Sequence, residues 1–121
     1  MATEKTADKK TIGITTANER VLATLAAEGL FASEIEAAKF AMAHAIEAGV
    51  SRGTTEGAGT KWNVGSVDSD GALRAVIEAL FPEEGQPYRL VEHLMNEGLR
   101  LFDKGDALPP DVAGVLFAAK T

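Results

Sequence analysis

Hydrophobic residues in the first part of the chain recur first with a period of two and then with the period of a helix. Ile12 and Ile14 alternate with threonine and glycine, which is the pattern of a half-buried strand. The following apolar residues recur at helical spacing and predict one helix over residues 17–28 and another over residues 34–48. Gly29 lies between them and can adopt the left-handed conformation that ends a helix.

Capping sequences support both helix starts. Thr16 is followed three residues later by Glu19, and Ser33 is followed in the same way by Glu36. A hydroxyl at the N-cap with a carboxylate three residues on forms a capping box. The strand-helix-helix order over residues 11–49 is typical of a ribbon-helix-helix unit, which pairs its strand with that of a second copy. We therefore expect a homo-oligomer, either a dimer or a tetramer.

The middle of the chain interrupts this periodicity. Residues 50–69 contain several glycines and no sustained hydrophobic period, so we predict a glycine-rich loop there. Trp62, the only tryptophan, is expected to anchor this loop to the body of the protein. Helical spacing then returns and predicts a helix from about residue 68 to 81, a second that begins at Pro87, and a short one over 111–119. Gly98, on the buried side of the second of these helices, is expected to permit a close crossing.

These elements predict a mostly α fold with one short N-terminal strand and four to five helices. A flexible arm over residues 1–10 would precede a single domain over 11–121. Within that domain we expect the strand-helix-helix unit (11–49), the glycine-rich loop (50–69) and the C-terminal helices (70–121). A chain of 121 residues is long enough to bury one core.

Composition narrows the function classes. The chain is 45% hydrophobic and 25% charged, and it has no apolar run long enough to cross a membrane. Its polar N-terminus lacks the hydrophobic segment of a secretory signal. With no cysteine, the chain has no disulfide, no thiol nucleophile and no zinc-thiolate site. We expect a cytoplasmic protein with no membrane partner.

The charge balance opposes a general attraction to nucleic acid. Twelve basic and 18 acidic residues give a net charge of −6. Oligomerisation can nevertheless gather a few cations on one face while the acidic residues point elsewhere. Lys9 and Lys10, just before the strand, are candidate phosphate contacts, and a solvated polar tail is the alternative explanation.

Three patterns suggest chemistry, and each has a simpler explanation. Residues 57–61 have the residue types of a phosphate loop without its spacing. Residues 68–71 begin like a calcium loop, but Ala79 stands where the final glutamate ligand belongs, so we expect them to cap a helix. His44 and His93 lie on different predicted helices and are expected to be partly exposed. We therefore predict no catalytic residues, no metal and no cofactor.

Short motifs along the chain resemble those of the DndE family, the small subunit of the bacterial DNA sulfur-modification (phosphorothioation) system. The residues that carry this likeness are Gly29-Leu30, Glu47-Ala48-Gly49-Val50, Trp62-Asn63-Val64-Gly65, and His93, Leu94, Asn96, Gly98, Leu99, Leu101 and Phe102. The resemblance implies a helical homotetramer that binds DNA through lysines gathered on one surface. The chain departs from this expectation on its first helix, which offers only Arg20 as a cation.

The leading functional hypothesis is a non-enzymatic accessory protein of a DNA-modification or DNA-processing complex. It would act as a homo-oligomer and contact the DNA backbone and other subunits of the complex. The candidate DNA contacts are Lys9, Lys10, Thr11, Arg20, Arg52 and Lys61.

Two alternatives remain open from the sequence. One is a ribbon-helix-helix transcriptional regulator or antitoxin, in which Thr11, Gly13 and Thr15 of paired strands would face the major groove. The other is a protein-interaction scaffold with no nucleic-acid role, which the acidic pI near 4.9 favours.

Overall fold

Two strands and five helices make up the part of the chain that the computed structural model describes, residues 8–29 and 31–103. In chain order they are β1 (Thr11–Thr15), α1 (Thr16–Ala27), α2 (Glu34–Glu47), β2 (Ala58–Asn63), α3 (Val64–Val67), α4 (Ala72–Leu80) and α5 (Pro87–Asp103). The helix predicted over 111–119 lies outside the described residues. None of the described helices has both the length and the apolar character needed to cross a membrane.

The predicted fold class, mostly α with a single strand, is wrong because β1 pairs with β2 in an antiparallel sheet within one chain. The fold is therefore mixed α and β. β2 lies inside the stretch 50–69, which the sequence predicted to be an irregular loop. Gly59 and a register shift weaken the alternation of apolar and polar residues that would identify β2 as a strand. Ile12 pairs with Trp62 and Gly13 pairs with Thr60, so Lys61 is the extra residue of a β-bulge.

Side chains of α5 occupy the other edge of β1. The Gly13 N–H donates to Glu92 Oε1 and the Thr15 N–H donates to Asn96 Oδ1, each at 3.0 Å. Asn96 Nδ2 donates back to the Gly13 carbonyl, also at 3.0 Å. β1 is thus hydrogen-bonded on both edges within one chain, to β2 on one side and to α5 at Gly13 and Thr15 on the other. The expected ribbon-helix-helix unit, whose strand must pair with a second copy, is incompatible with this arrangement.

The first two helices begin and end close to the predicted positions. The N-cap of α1 is Thr15 rather than Thr16, and its hydroxyl accepts from the Asn18 N–H at 3.2 Å. The Ser33 cap of α2 is confirmed, because its hydroxyl accepts from the Glu36 N–H at 3.2 Å. Gly29 has a φ of 75°, which confirms its left-handed conformation after α1.

Two carboxylates fasten the C-terminal helices. Asp68 accepts from the N–H groups of Leu73 and Arg74 at 2.8 and 3.1 Å, so its predicted capping role is confirmed, although α4 begins only at Ala72. The Tyr88 hydroxyl also donates to Asp68, and burial with this hydrogen bond raises the pKa of Tyr88 to about 12. Asp8, far away in sequence, accepts from the N–H groups of Tyr88 and Arg89 at the start of α5.

The core forms where α5 crosses α2. Gly98 of α5 lies against Ala41 of α2 so closely that a Cβ at position 98 would overlap the Ala41 carbonyl. This close crossing was predicted from the glycine on the buried face of the helix, and the structure confirms it. The fully buried apolar residues of the two helices are Ala37, Ala38, Ala41, Ala45, Leu90, Val91, Leu94, Met95 and Leu99.

Gly98→Ala is expected to destabilise the protein by about 3 kcal/mol, because the added methyl group meets backbone rather than a flexible side chain. In an exposed helix the same change would be stabilising. Urea unfolding at pH 7 measures the difference. Gly65→Ala is the matched control, since a Cβ there meets no atom within 4 Å, and it should stay within about 1 kcal/mol of the parent. Equal stabilities of the two variants would contradict the close crossing.

Candidate functional site

Lys9, the first candidate DNA contact, forms an ion pair with a buried carboxylate. Its Nζ lies 3.1 Å from Glu92 Oε1, the same oxygen that accepts from the Gly13 N–H. Glu92 is only 4% exposed, so its charge needs a compensating cation. Lys9 therefore neutralises the polar cluster at the edge of β1, and a phosphate contact would have to compete with that role.

Lys61 is held between two helices. Its Nζ lies 3.0 Å from Glu19 Oε1 on α1 and 3.0 Å from Glu34 Oε1 at the start of α2. The hydrogen bond to Glu19 and then that to Glu34 raise the pKa of Lys61 against the opposing effect of burial. The neighbouring Trp62 is half-buried, packs against the core, and has the Lys61 ammonium 5.5 Å from its ring centroid. The bulge in β2 thus aims Lys61 at carboxylates rather than at solvent.

The segment before β2 is tied to the C-terminal half of the chain. Arg52 NH1 lies 3.7 Å from Glu84 Oε1. Thr55 Oγ1 and His93 Nδ1 share a hydrogen bond of 3.1 Å, and Gly53 packs so closely that a Cβ there would touch the His93 ring. Arg52 is therefore engaged by a carboxylate, like Lys9 and Lys61.

The other three candidates occupy separate positions. Lys10 is exposed just before β1, and the Thr11 hydroxyl shares a 3.5 Å contact with that of Thr60. Arg20 lies on α1 and lines a cavity of about 360 Å³ that reaches Phe102 on α5. Within the described ranges neither Lys10 nor Arg20 forms an ion pair. These two are the cationic candidates that the described part of the protein leaves unneutralised.

His44 differs from its expected partly exposed position. It is 7% exposed, its ring stacks on Phe102 with centroids 4.8 Å apart, and neither ring nitrogen has a hydrogen-bond partner. Burial lowers the pKa of His44, and the nearby Glu47 carboxylate opposes that shift. The signal in the sequence was Phe40, whose position off the main apolar stripe indicates that α2 is buried on more than one side. Phe40 and Phe102 stack with centroids 6.0 Å apart.

A polar cavity that the sequence did not predict lies where the end of β1, the segment 54–56 and α5 meet. Its volume is about 310 Å³. Asn18 and Asn96 form its buried wall, and Asn18 Nδ2 donates to the carbonyl and to Oδ1 of Asn96 at 3.0 and 2.9 Å. The available signal was the pair Glu92 and Asn96, two polar residues four positions apart on the buried face of α5.

The charged residues around this cavity are Glu56, Glu97, Arg100 and Asp103. Glu97 and Arg100 form an ion pair of 2.7 Å. Throughout residues 8–29 and 31–103, no group of three or more histidine, aspartate or glutamate side chains is placed to hold a metal ion. The cavity is therefore best described as a polar recess with an excess of carboxylates.

Comparison with known proteins identified no match. No protein-family model matches the chain, and no curated protein and no solved structure matches it either. The resemblance to the DndE family accordingly rests on the sequence motifs alone.

His44→Phe is expected to stabilise the protein at pH 7 by about 1 to 2 kcal/mol, because it removes two buried nitrogens that lack partners and keeps the stacking on Phe102. It should also flatten the pH dependence. In the unfolded chain this histidine titrates near pH 6.5. Since its pKa is lower in the folded protein, the unfolded chain binds more protons as the pH falls, and stability decreases.

Urea midpoints at pH 7 and pH 5 measure this effect for the parent and the variant. His93→Asn is the control, because it removes a histidine that is not buried among aromatic rings and should preserve the loss of stability at pH 5. An unchanged pH slope in His44→Phe would show that other groups cause the acid sensitivity.

Proposed function

We propose that this protein is a non-enzymatic accessory subunit of a DNA-modification or DNA-processing complex. In this proposal it acts through contacts with other proteins, including self-association, rather than by binding DNA directly, and we call this the protein-contact mode. The proposal places it in the cytoplasm. The membership of a DNA-processing complex is supported by the sequence resemblance, and the protein-contact mode by the structure.

The observation that carries the protein-contact mode is the neutralisation of the cations. A lysine or arginine contributes to DNA affinity by replacing counterions at a phosphate, and an ammonium already bound to a carboxylate must first break that bond. The ion pairs in the described residues are Lys9–Glu92, Lys39–Glu36, Arg52–Glu84, Lys61 with Glu19 and Glu34, Arg74–Glu78 and Arg100–Glu97.

An exposed apolar face on α4 supports protein contacts. Val76 is 38% exposed and Leu80 is 54% exposed, and these are the large hydrophobic residues that the described surface leaves open. Leu73 and Ile77, on the same apolar stripe of this helix, are buried in the core, so Val76 and Leu80 form the exposed side of that stripe. Exposed apolar side chains that lie together on one helix are typical of a surface that a protein partner covers.

Direct DNA binding is the second candidate, and Lys10 and Arg20 are the observation that favours it, because both are exposed and form no ion pair in the described part of the chain. A ribbon-helix-helix regulator is not retained, because β1 already pairs with β2 and with α5.

A DNA titration of the purified protein at two salt concentrations tests the protein-contact mode, with intact, nicked and single-stranded probes. At physiological salt we expect dissociation constants weaker than about 100 µM, the weak end of non-specific binding. The double variant Glu19→Gln/Glu34→Gln frees Lys61 and should bind DNA more tightly and with a steeper salt dependence. The control Glu47→Gln/Glu83→Gln changes the net charge equally at exposed positions and should bind less tightly than the variant that frees Lys61.

Micromolar, salt-sensitive binding by the parent protein would overturn the protein-contact mode and favour the second candidate.

Co-purification from the native host tests whether the protein belongs to a DNA-modification or DNA-processing complex. Recovery of DNA-modifying or DNA-processing enzymes in stoichiometric amounts is expected, and their absence from a complex that still assembles with other proteins would remove the link to DNA.

A further inference from the structure

We propose that residues 111–119 of this chain dock as a helix in the cavity of about 360 Å³ between α1 and the end of α5, which we call the α1–α5 groove. This inference goes beyond the proposed function, since it assigns an occupant to this groove whether or not the protein belongs to a DNA-processing complex. Three features of the molecule support it: the apolar floor of the groove, the place where α5 ends, and the charges of the groove and of the segment.

The floor of the groove is apolar. Val21 and Leu25, one turn apart on α1, and Phe102 on α5 are each half-buried. All three pack against the core and also line the groove. The Phe102 ring stacks on His44, so the floor of the groove is continuous with buried aromatic contacts. Apolar surface of this kind on a helix pair suits the apolar face of a further helix.

The segment 111–119 carries a matching apolar stripe. Val112, Val115 and Leu116 recur at the spacing of one helix face. An isolated helix shorter than about 12 residues is marginal in water, because few hydrogen bonds offset the cost of its first turn. A helix over these residues therefore depends on a surface that buries its apolar stripe.

The end of α5 delivers the segment to the groove. α5 ends at Asp103, which itself lines the groove. The chain from there to Asp111 can span about 26 Å, at about 3.3 Å per residue. The groove from Arg20 to Glu28 is only about 12 Å long, at about 1.5 Å per helical residue. A tether this short holds the segment at an effective concentration of about 1 mM, which favours docking within one chain over docking onto a second copy.

The charges of the groove and of the segment are complementary. Arg20 and Glu28 line the groove toward opposite ends of α1. Asp111 begins the segment and Lys120 directly follows it, so the two pairs have nearly the same spacing along a helix. A segment parallel to α1 places Asp111 beside Arg20 and Lys120 beside Glu28. Within residues 8–29 and 31–103, neither Arg20 nor Glu28 forms an ion pair, so both are available.

The labelling rate of a single introduced thiol tests the proposal in the full chain, which has no cysteine of its own. Thr24→Cys places the thiol at an exposed position of α1 that lines the groove, and iodoacetamide is the neutral reagent. Val115→Asp/Leu116→Asp introduces charge into the apolar stripe of the segment. We expect labelling to be at least about tenfold slower with the intact segment than with this double variant, because the thiol reacts only while the segment is undocked.

Two controls accompany this measurement. Gly114→Asp/Ala118→Asp adds the same two carboxylates away from the apolar stripe and should keep the labelling rate within about twofold of that with the intact segment. Ala43→Cys replaces Thr24→Cys at an exposed position of α2 that does not line the groove. Its thiol should react equally fast with all three forms of the segment, which excludes general unfolding as the cause.

A charge exchange tests the pairing of the segment with the groove. Arg20→Asp should speed labelling at position 24 about twofold to fivefold, since an exposed ion pair contributes little, and Arg20→Asp/Asp111→Arg should restore slow labelling.

The proposal is overturned if Val115→Asp/Leu116→Asp leaves labelling at position 24 unchanged, if Gly114→Asp/Ala118→Asp speeds it equally, or if the charge exchange fails to restore slow labelling. It is also overturned if a micromolar excess of the cysteine-free parent slows labelling of the Val115→Asp/Leu116→Asp chain. Intact segments supplied by another molecule would then fill the groove, and its occupant would be a second copy.

Discussion

The hydrogen bonds from α5 to the free edge of β1 are the interaction on which the rest of this structure depends. Gly13 and Thr15 would otherwise present unpaired backbone groups in a buried position, which is costly. Glu92 and Asn96 satisfy them and at the same time fix the rotation of α5. Gly98, two residues after Asn96 and therefore on the other side of the helix, then faces Ala41 of α2. The edge of β1, the orientation of α5 and its crossing with α2 therefore depend on one another. Loss of the Asn96 side chain would leave the Thr15 N–H, the Gly13 carbonyl and the Asn18 amide without this hydrogen-bond partner at the same time.

The same interaction shapes the electrostatics. A carboxylate placed at a strand edge and buried there requires a nearby cation, and Lys9 supplies it. Lys61, displaced from the regular register by the bulge, is likewise drawn to Glu19 and Glu34. The sequence places Lys9 near a strand and Lys61 in a glycine-rich segment, where a DNA-binding protein could use them. In the structure both lysines instead form ion pairs with carboxylates of the same chain. This is the physical basis of the protein-contact mode that we propose.

Particular residues show how far sequence reasoning reaches. Ser33, Gly29, Asp68 and Pro87 each mark a helix boundary close to the observed one, because capping and chain reversal depend on a few neighbouring residues. Gly98 also predicted a close helix crossing. The second strand was missed, since its residues include glycine and a bulged lysine and its pairing partner lies about fifty positions earlier in the chain. His44 and the Asn18–Asn96 wall were missed for the same reason: burial and hydrogen bonding there come from residues remote in sequence.

The amino-acid sequence by itself therefore determined approximately where α1, α2 and α5 begin, which helix faces are apolar, and the absence of cysteine chemistry, but it did not predict α3. Only the tertiary structure decided what pairs with β1. A strand carries hydrogen-bonding groups on both edges, and nothing in its own residues distinguishes a second copy, a distant strand or polar side chains as the partner. The partner of β1 distinguishes an intertwined DNA-binding dimer from a strand that is paired within its own chain. On one edge of β1 that partner is α5, whose Glu92 and Asn96 lie about eighty residues away along the chain.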